Sequence, residues 1–257
     1  MKNDKWTREQ TIVALNLYCK IPFNKVSSTH SDILKYSSLI GRSPNSLKMK
    51  IGNFGSFDPE LKRRGIVGLQ NTSKLDEDIW DEFSNDWERL AYESELLITK
   101  FEGKDLANIY EEFDFDDKRG DDKIRSVKTR VNQKFFRQTV LSSYNFSCAI
   151  TGLNIPELLV ASHIIPWKDN KETRVNPKNG ICLNVFHDKA FDKGFITITT
   201  DYKIKVSNYI YDNFEDNSTH WFKQYENLKI NMPERFAPNL EFILYHNENI
   251  FESWKKQ

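Results

Sequence analysis

Cysteine is scarce, with three in 257 residues, too few for the paired framework of a small secreted domain. Net charge is absent: 37 basic and 37 acidic side chains cancel, so any pull on nucleic acid must come from uneven distribution. Long apolar runs are missing too. None approaches the roughly 18 residues that a membrane-crossing helix needs, so no membrane association is expected. The opening MKNDKWTREQ lacks the apolar stretch of a signal peptide, and a cytoplasmic location is the expectation. Ten glycines and eight prolines exclude a collagenous chain. What remains is an ordered composition, 39% apolar and 13% aromatic with 18 phenylalanines. That is enough for one large or two modest domains with a real core and no need of disulfide or metal staples.

Charge by segment is uneven. Residues 1–95 are neutral, 96–122 carry a net −5, 123–194 a net +7 and 195–257 a net −2. The positive segment has the field to attract phosphate. The acidic stretch GKDLANIYEEFDFDDKRGDDK repels compaction and predicts a linker at 103–122. A helical accessory domain at 1–102 then precedes a larger domain at 123–257. No internal repeat or low-complexity segment is present.

In the first domain, Ile12, Val13, Leu15, Leu17 and Tyr18 predict a helix over 8–19, and Thr7 with Gln10 has the form of a capping box. Ile33, Leu34, Tyr36 and Leu39 predict a second helix ending at Gly41. Ser43 and Pro44 cap and open a third, whose apolar positions are Leu47, Met49 and Ile51. The Gly-Arg-Ser-Pro turn suggests a helix-turn-helix. Its third helix is expected to expose Asn45, Ser46, Lys48 and Lys50, with Arg42 just before it, to phosphates and base edges. One helix is expected over 75–93, packed on the first three.

In the second domain, a basic helix over 123–143 is expected to turn Arg130 and Arg137 toward a DNA backbone. Downstream, 158–165 is apolar enough for a strand. Asn179-Gly180 is a turn that opens a second short strand, 185–191 reads as a helix, and 195–199 as another strand. Three polar residues stand out on this scaffold: His163 in the apolar strand, Asn179 at the turn, and His187 near the helix start.

The stretch 148–198 resembles the ββα-metal nucleases of the HNH superfamily, most closely the branch found in bacterial restriction-type endonucleases. The resemblance rests on Ser162-His163-Ile164 with Pro166-Trp167, on Arg174 and Pro177 leading to Asn179-Gly180, and on Leu183, His187-Asp188, Phe191-Asp192 and Gly194. It spans roughly residues 130–250, including the lead-in FFRQTVLSSYNFSCAITG and a closing helix in NLEFILYHNENIF. It implies an α+β chain, in which a ββα-metal nuclease domain follows the small, mainly helical, helix-turn-helix-like domain.

The resemblance also implies a chemistry. His163 would be the general base, apt because imidazole titrates near neutrality. Asn179 would tie the loop and help to orient the base. His187 would be the leading ligand of one divalent cation acting as Lewis acid, Mg²⁺ or Mn²⁺ in activity, with Zn²⁺ or Ni²⁺ able to occupy the site. Many relatives carry Asp or His where this chain has Ser162, which weakens the strand side of the site. Asp188 and Asp192, four apart on one helical face, are the compensating ligands. Asp192 is equally open to a second role, bracing the Asn179 turn. Lys168, Arg174 and Lys178 on the connecting loop are expected to hold DNA phosphates, Arg174 foremost because its guanidinium pairs bidentately.

Trp167 and Phe191 are expected in the core. Cys148 and Cys182 lack the partners of a zinc ribbon and read as buried small hydrophobes. The expected activity is restriction-type cleavage of double-stranded DNA by a homodimer, since a duplex needs two cuts. The alternatives are cleavage that depends on modified cytosine, a DNA-binding regulator whose nuclease domain is inactive, and a purely structural interaction protein.

Overall fold

The computed structural model describes residues 5–66, 68, 69, 71–104 and 121–256, with side chains omitted at 121–125, 255 and 256. Most of the linker expected at 103–122 lies outside the described residues. The chain divides into two compact units, Met1–Thr139 and Val140–Gln257.

The first unit is helical. Helix α1 (Arg8–Lys20) opens on the Thr7–Gln10 capping box and is buried from Thr11 to Cys19. It packs against α3 (Pro44–Phe54), α5 (Lys74–Phe83) and α6 (Trp87–Phe101). Helix α2 (Ser31–Leu39) leads through Gly41, at φ +68°, into α3, where Ser43 accepts from the Ser46 N–H. A short α4 (Pro59–Arg63) follows.

Two expectations are corrected here. The helix expected over 75–93 is two helices, because Asp86 caps a new start by accepting from the Arg89 N–H. Lys50 is not exposed. It falls in the stripe Leu47, Lys50, Ile51 and Phe54 that faces the core, is 5% exposed, and pairs with the fully buried Asp76. Met49 takes the outward position instead. Burial alone would raise the Asp76 pKa. Hydrogen bonds from Lys50, Asn53 and the Ser73 N–H outweigh it and hold the pKa below the usual carboxylate value.

Helix α7 (Asp121–Ser143) carries the chain from the first unit into the second. The second unit is built on an antiparallel pair, β1 (Leu159–His163) and β2 (Gly180–Asn184), with Ser162 opposite Ile181 and His163 opposite Gly180. Helix α8 (Val185–Asp192) packs on both strands. Strand β1 stops before the expected residue 165. Ile164 N–H turns to the Asn179 carbonyl, and Ile165 N–H to the Asn179 side chain.

A second antiparallel pair, β3 (Ile196–Ile198) and β4 (Ile204–Val206), is followed by α9 (Asn208–Asn213), α10 (Asp216–Lys223) and α11 (Leu240–Asn249), which packs on β3. Gly194 lies where α8 meets the residues after α11. It has φ +69°, and a Cβ there would stand 2.2 Å from the Ile250 carbonyl oxygen. Only glycine fits that approach. Cys148 and Cys182 are both buried thiols outside any disulfide, and the Cys148 Sγ accepts from the Asn184 N–H.

Candidate active site

Strand β1 ends on His163, placing its ring at the mouth of the 164–179 loop. Its Nε2 lies 2.9 Å from the Arg174 carbonyl oxygen. A carbonyl only accepts, so Nε2 carries the proton in the neutral ring and Nδ1 is the basic nitrogen. Burial lowers the His163 pKa, opposed by the bond to Arg174. Trp167 packs edge-on against the imidazole at 5.5 Å. It is half-buried rather than in the core. The Arg174 guanidinium lies over its ring and donates from Nε to the Trp167 carbonyl at 2.6 Å.

Asn179 holds this loop in place. Its side chain is fully buried, accepts from Ile165 N–H at 2.8 Å, and donates to the Ile165 carbonyl at 3.1 Å and the Thr173 carbonyl at 3.3 Å. The alternative bracing role for Asp192 finds no support, since these partners all belong to the loop.

Asn184 sets the rotation of α8 by capping it, its Oδ1 accepting from the His187 N–H at 2.9 Å. Successive residues then point about 100° apart, so 188 and 192 share a face that 187 does not. Asp188, Asp192, Ser162, His163, Trp167 and Lys168 line one pocket of about 570 Å³. Desolvation raises the Asp188 pKa, partly countered by Ser162 and Lys189. Desolvation and repulsion from Asp188 raise that of Asp192 at the exposed rim. The Ser162 hydroxyl is buried and approaches Asp188 without reaching hydrogen-bond geometry.

His187 faces elsewhere. It lines a separate pocket with Phe186, Trp221 and Tyr225, and its Nδ1 lies 3.2 Å from Asn184 Oδ1. Burial pulls its pKa down to about 4, although the nearby Trp221 backbone opposes the shift without forming a bond of normal geometry. The expected set His187, Asp188 and Asp192 is thus not assembled. Among the described residues, no group of three or more His, Cys, Asp and Glu is placed to hold a metal. The oxygens present, two carboxylates with a buried hydroxyl beside them, fit Mg²⁺ or Mn²⁺. Such ions keep several waters and bind through one or two carboxylates plus substrate phosphate. They do not fit the imidazole coordination that favours Zn²⁺ or Ni²⁺.

Of the other expected contacts, Lys168, Asn45, Lys48, Arg130 and Arg137 are exposed, and Lys178 is half-buried. Arg42 is half-buried over Trp6, bonded to Gln10 and the Lys5 carbonyl. Sequence reasoning passed over Lys189 and Lys193, which line the His163 pocket. Their one-residue offset from Asp188 and Asp192 was the available signal. It also passed over His246, stacked on Phe191 at 3.7 Å, with Nε2 3.2 Å from the Phe191 carbonyl. Phe191 is buried as expected.

No curated protein matches the chain. The HNH endonuclease family model matches residues 148–199, the stretch that supplies β1, the Asn179 loop, β2, α8 and β3, and an HNH endonuclease domain therefore occupies that part of the chain.

Proposed function

We propose that the protein is a metal-dependent endonuclease of restriction type that hydrolyses double-stranded DNA. The supporting observation is that His163, with its Nε2–H directed to a backbone carbonyl, lines the same pocket as Asp188 and Asp192. Burial keeps the imidazole neutral near pH 7, so Nδ1 can accept a proton from water as the water oxygen attacks phosphorus. The Arg174 carbonyl holds the ring through that transfer and stabilises the positive charge it gains. The P–O3′ bond breaks, leaving a 5′-phosphate and a 3′-oxygen that takes a proton from solvent. A divalent cation held by Asp188 and Asp192 would supply Lewis-acid stabilisation of the phosphate charge and of the departing oxygen.

Lys168, Lys189 and Lys193 at the pocket add positive charge beside the scissile phosphate. Asn45 and Lys48 on α3 are the outward residues with which the helical unit would hold the duplex. A homodimer would place one such pocket on each strand.

The test incubates supercoiled plasmid, with and without modified cytosine, with the full chain and Mg²⁺ or Mn²⁺, beside EDTA and His163→Ala. Nicking and linearisation that need both metal and His163 are expected. Cutting by His163→Ala at the wild-type rate refutes the base assignment. Binding without cutting under every condition identifies a regulator with an inactive nuclease domain, and cutting confined to modified plasmid identifies a modification-dependent enzyme.

A further inference from the structure

The far face of α8 opens onto a second groove, of about 500 Å³, walled by Phe186, Phe214, Trp221 and Phe222. Among the described residues, the exposed large hydrophobic side chains include three aromatic ones, Phe186 at 45%, Phe214 at 48% and Trp221 at 58%. All three converge on this groove. Three large aromatic faces left in water at one place are a cost that folding alone does not explain. The lining also holds Asn217 and Ser218, uncharged groups able to meet the edge of a polar ring. Lys189 lines both this groove and the pocket of His163.

The geometry points to a nucleobase-binding groove: an unpaired base of the strand being cut stacks on Trp221 and Phe186, while Lys189 takes the phosphate between that base and the cleavage position. This rests on the nuclease reading of the adjoining pocket. Stacking on aromatic faces accepts any base, because every base has a π-face. The charge pattern separates the two ends of the nucleotide. Glu215 and Asp216 immediately precede Asn217 and Ser218 and repel phosphate, so the uncharged base enters the groove and the anion stays at the lysine side. Continuity through Lys189 favours a segment of nucleic acid over a second copy of the chain.

The probe is a single-stranded oligonucleotide carrying the fluorescent base 2-aminopurine, titrated with full-length protein in the His163→Ala background, which prevents cutting. Binding is expected to quench the probe. Trp221→Ala and Phe186→Ala, both at exposed positions, are expected to abolish the quench and weaken binding by about tenfold. The salt dependence, which counts phosphate contacts, should stay unchanged.

Variants that bind and quench like their parent overturn the proposal and leave the nuclease reading standing. A Trp221→Ala protein that falls from dimer to monomer in sedimentation, with unaltered quench and affinity, overturns it in favour of a self-association face. Failure of the parent to bind the single-stranded probe overturns the groove, while the nuclease reading stands or falls separately on plasmid nicking that needs metal and His163. Plasmid cutting without any dependence on Trp221 removes only the groove.

Discussion

Replacing Asn179 by Asp changes a single side-chain nitrogen to oxygen, and the surroundings of that atom set the outcome. In the native protein, the side-chain nitrogen donates to the Ile165 carbonyl at 3.1 Å and to the Thr173 carbonyl at 3.3 Å, with no solvent access. A carboxylate oxygen there faces two other acceptors and cannot donate. The variant must protonate, expel the side chain, or distort the loop. Losing the donated bonds and setting acceptors against each other in a buried site is expected to cost about 3 kcal/mol. Asn179→Ala forfeits the Ile165 N–H bond as well, at about 2 to 4 kcal/mol, but adds no repulsion.

The strain falls on the segment that carries the Arg174 carbonyl, so the His163 ring loses its orienting partner. Nicking is expected to fall about a hundredfold or more in both variants at temperatures where each is folded. Urea denaturation gives the stability and single-turnover nicking gives the rate. An Asn179→Asp protein as stable as the wild type and as active at neutral pH would refute the claim that this amide aligns the base.

Asp188→Asn and Asp192→Asn are each expected to reduce Mn²⁺ affinity, read by calorimetry, by about tenfold or more. His187→Ala should leave Mn²⁺ binding intact, and equal loss in all three variants would show that the face of α8 is misassigned. Lys50→Ala strands the buried Asp76 carboxylate and should destabilise by about 3 to 5 kcal/mol in urea. A change under 1 kcal/mol would contradict the buried pairing, whereas exposed Lys48→Ala should change stability by less than about 0.5 kcal/mol.

His187 and His246 are both buried with pKa values near 4, below the ordinary 6.5. The unfolded chain therefore takes up protons first. The stability each contributes is complete above pH 6.5 and is lost as pH falls toward 4, on the order of 3 kcal/mol per ring. Denaturation midpoints at pH 7 and pH 5 should differ accordingly, and His246→Gln should flatten the slope. Nicking should persist at pH 6.5, because burial holds His163 below its usual value, and it should fail at lower pH. An activity midpoint above 6.5 would contradict that assignment.

The ββα framework was legible because its punctuation is local. Pro166, Asn179-Gly180 and the Asn184 cap mark its turns, and an apolar run marks β1. What spacing along the chain did not convey was rotation. Counting residues singled out His187, yet a helix started by Asn184 turns that ring away and brings Asp188 and Asp192 to the pocket. Lys50 was misplaced for the same reason: the step from Leu47 to Lys50 and Phe54 keeps one face, while Met49 leaves it. The fused helix over 75–93 came from an apolar pattern that continues in phase across Ser84 and Asn85. Strand β4 and helices α9 and α10 run for only three, six and eight residues, too few repeats for a period to stand out along the chain.

The stack of His246 on Phe191 and the contact of Gly194 with Ile250 have a consequence for how portable this motif is. Helix α8 is held from behind by chain that arrives some fifty residues later. The matched stretch alone therefore lacks its own backing, and grafting it onto another scaffold would transfer the chemical groups without the wall that keeps them aligned.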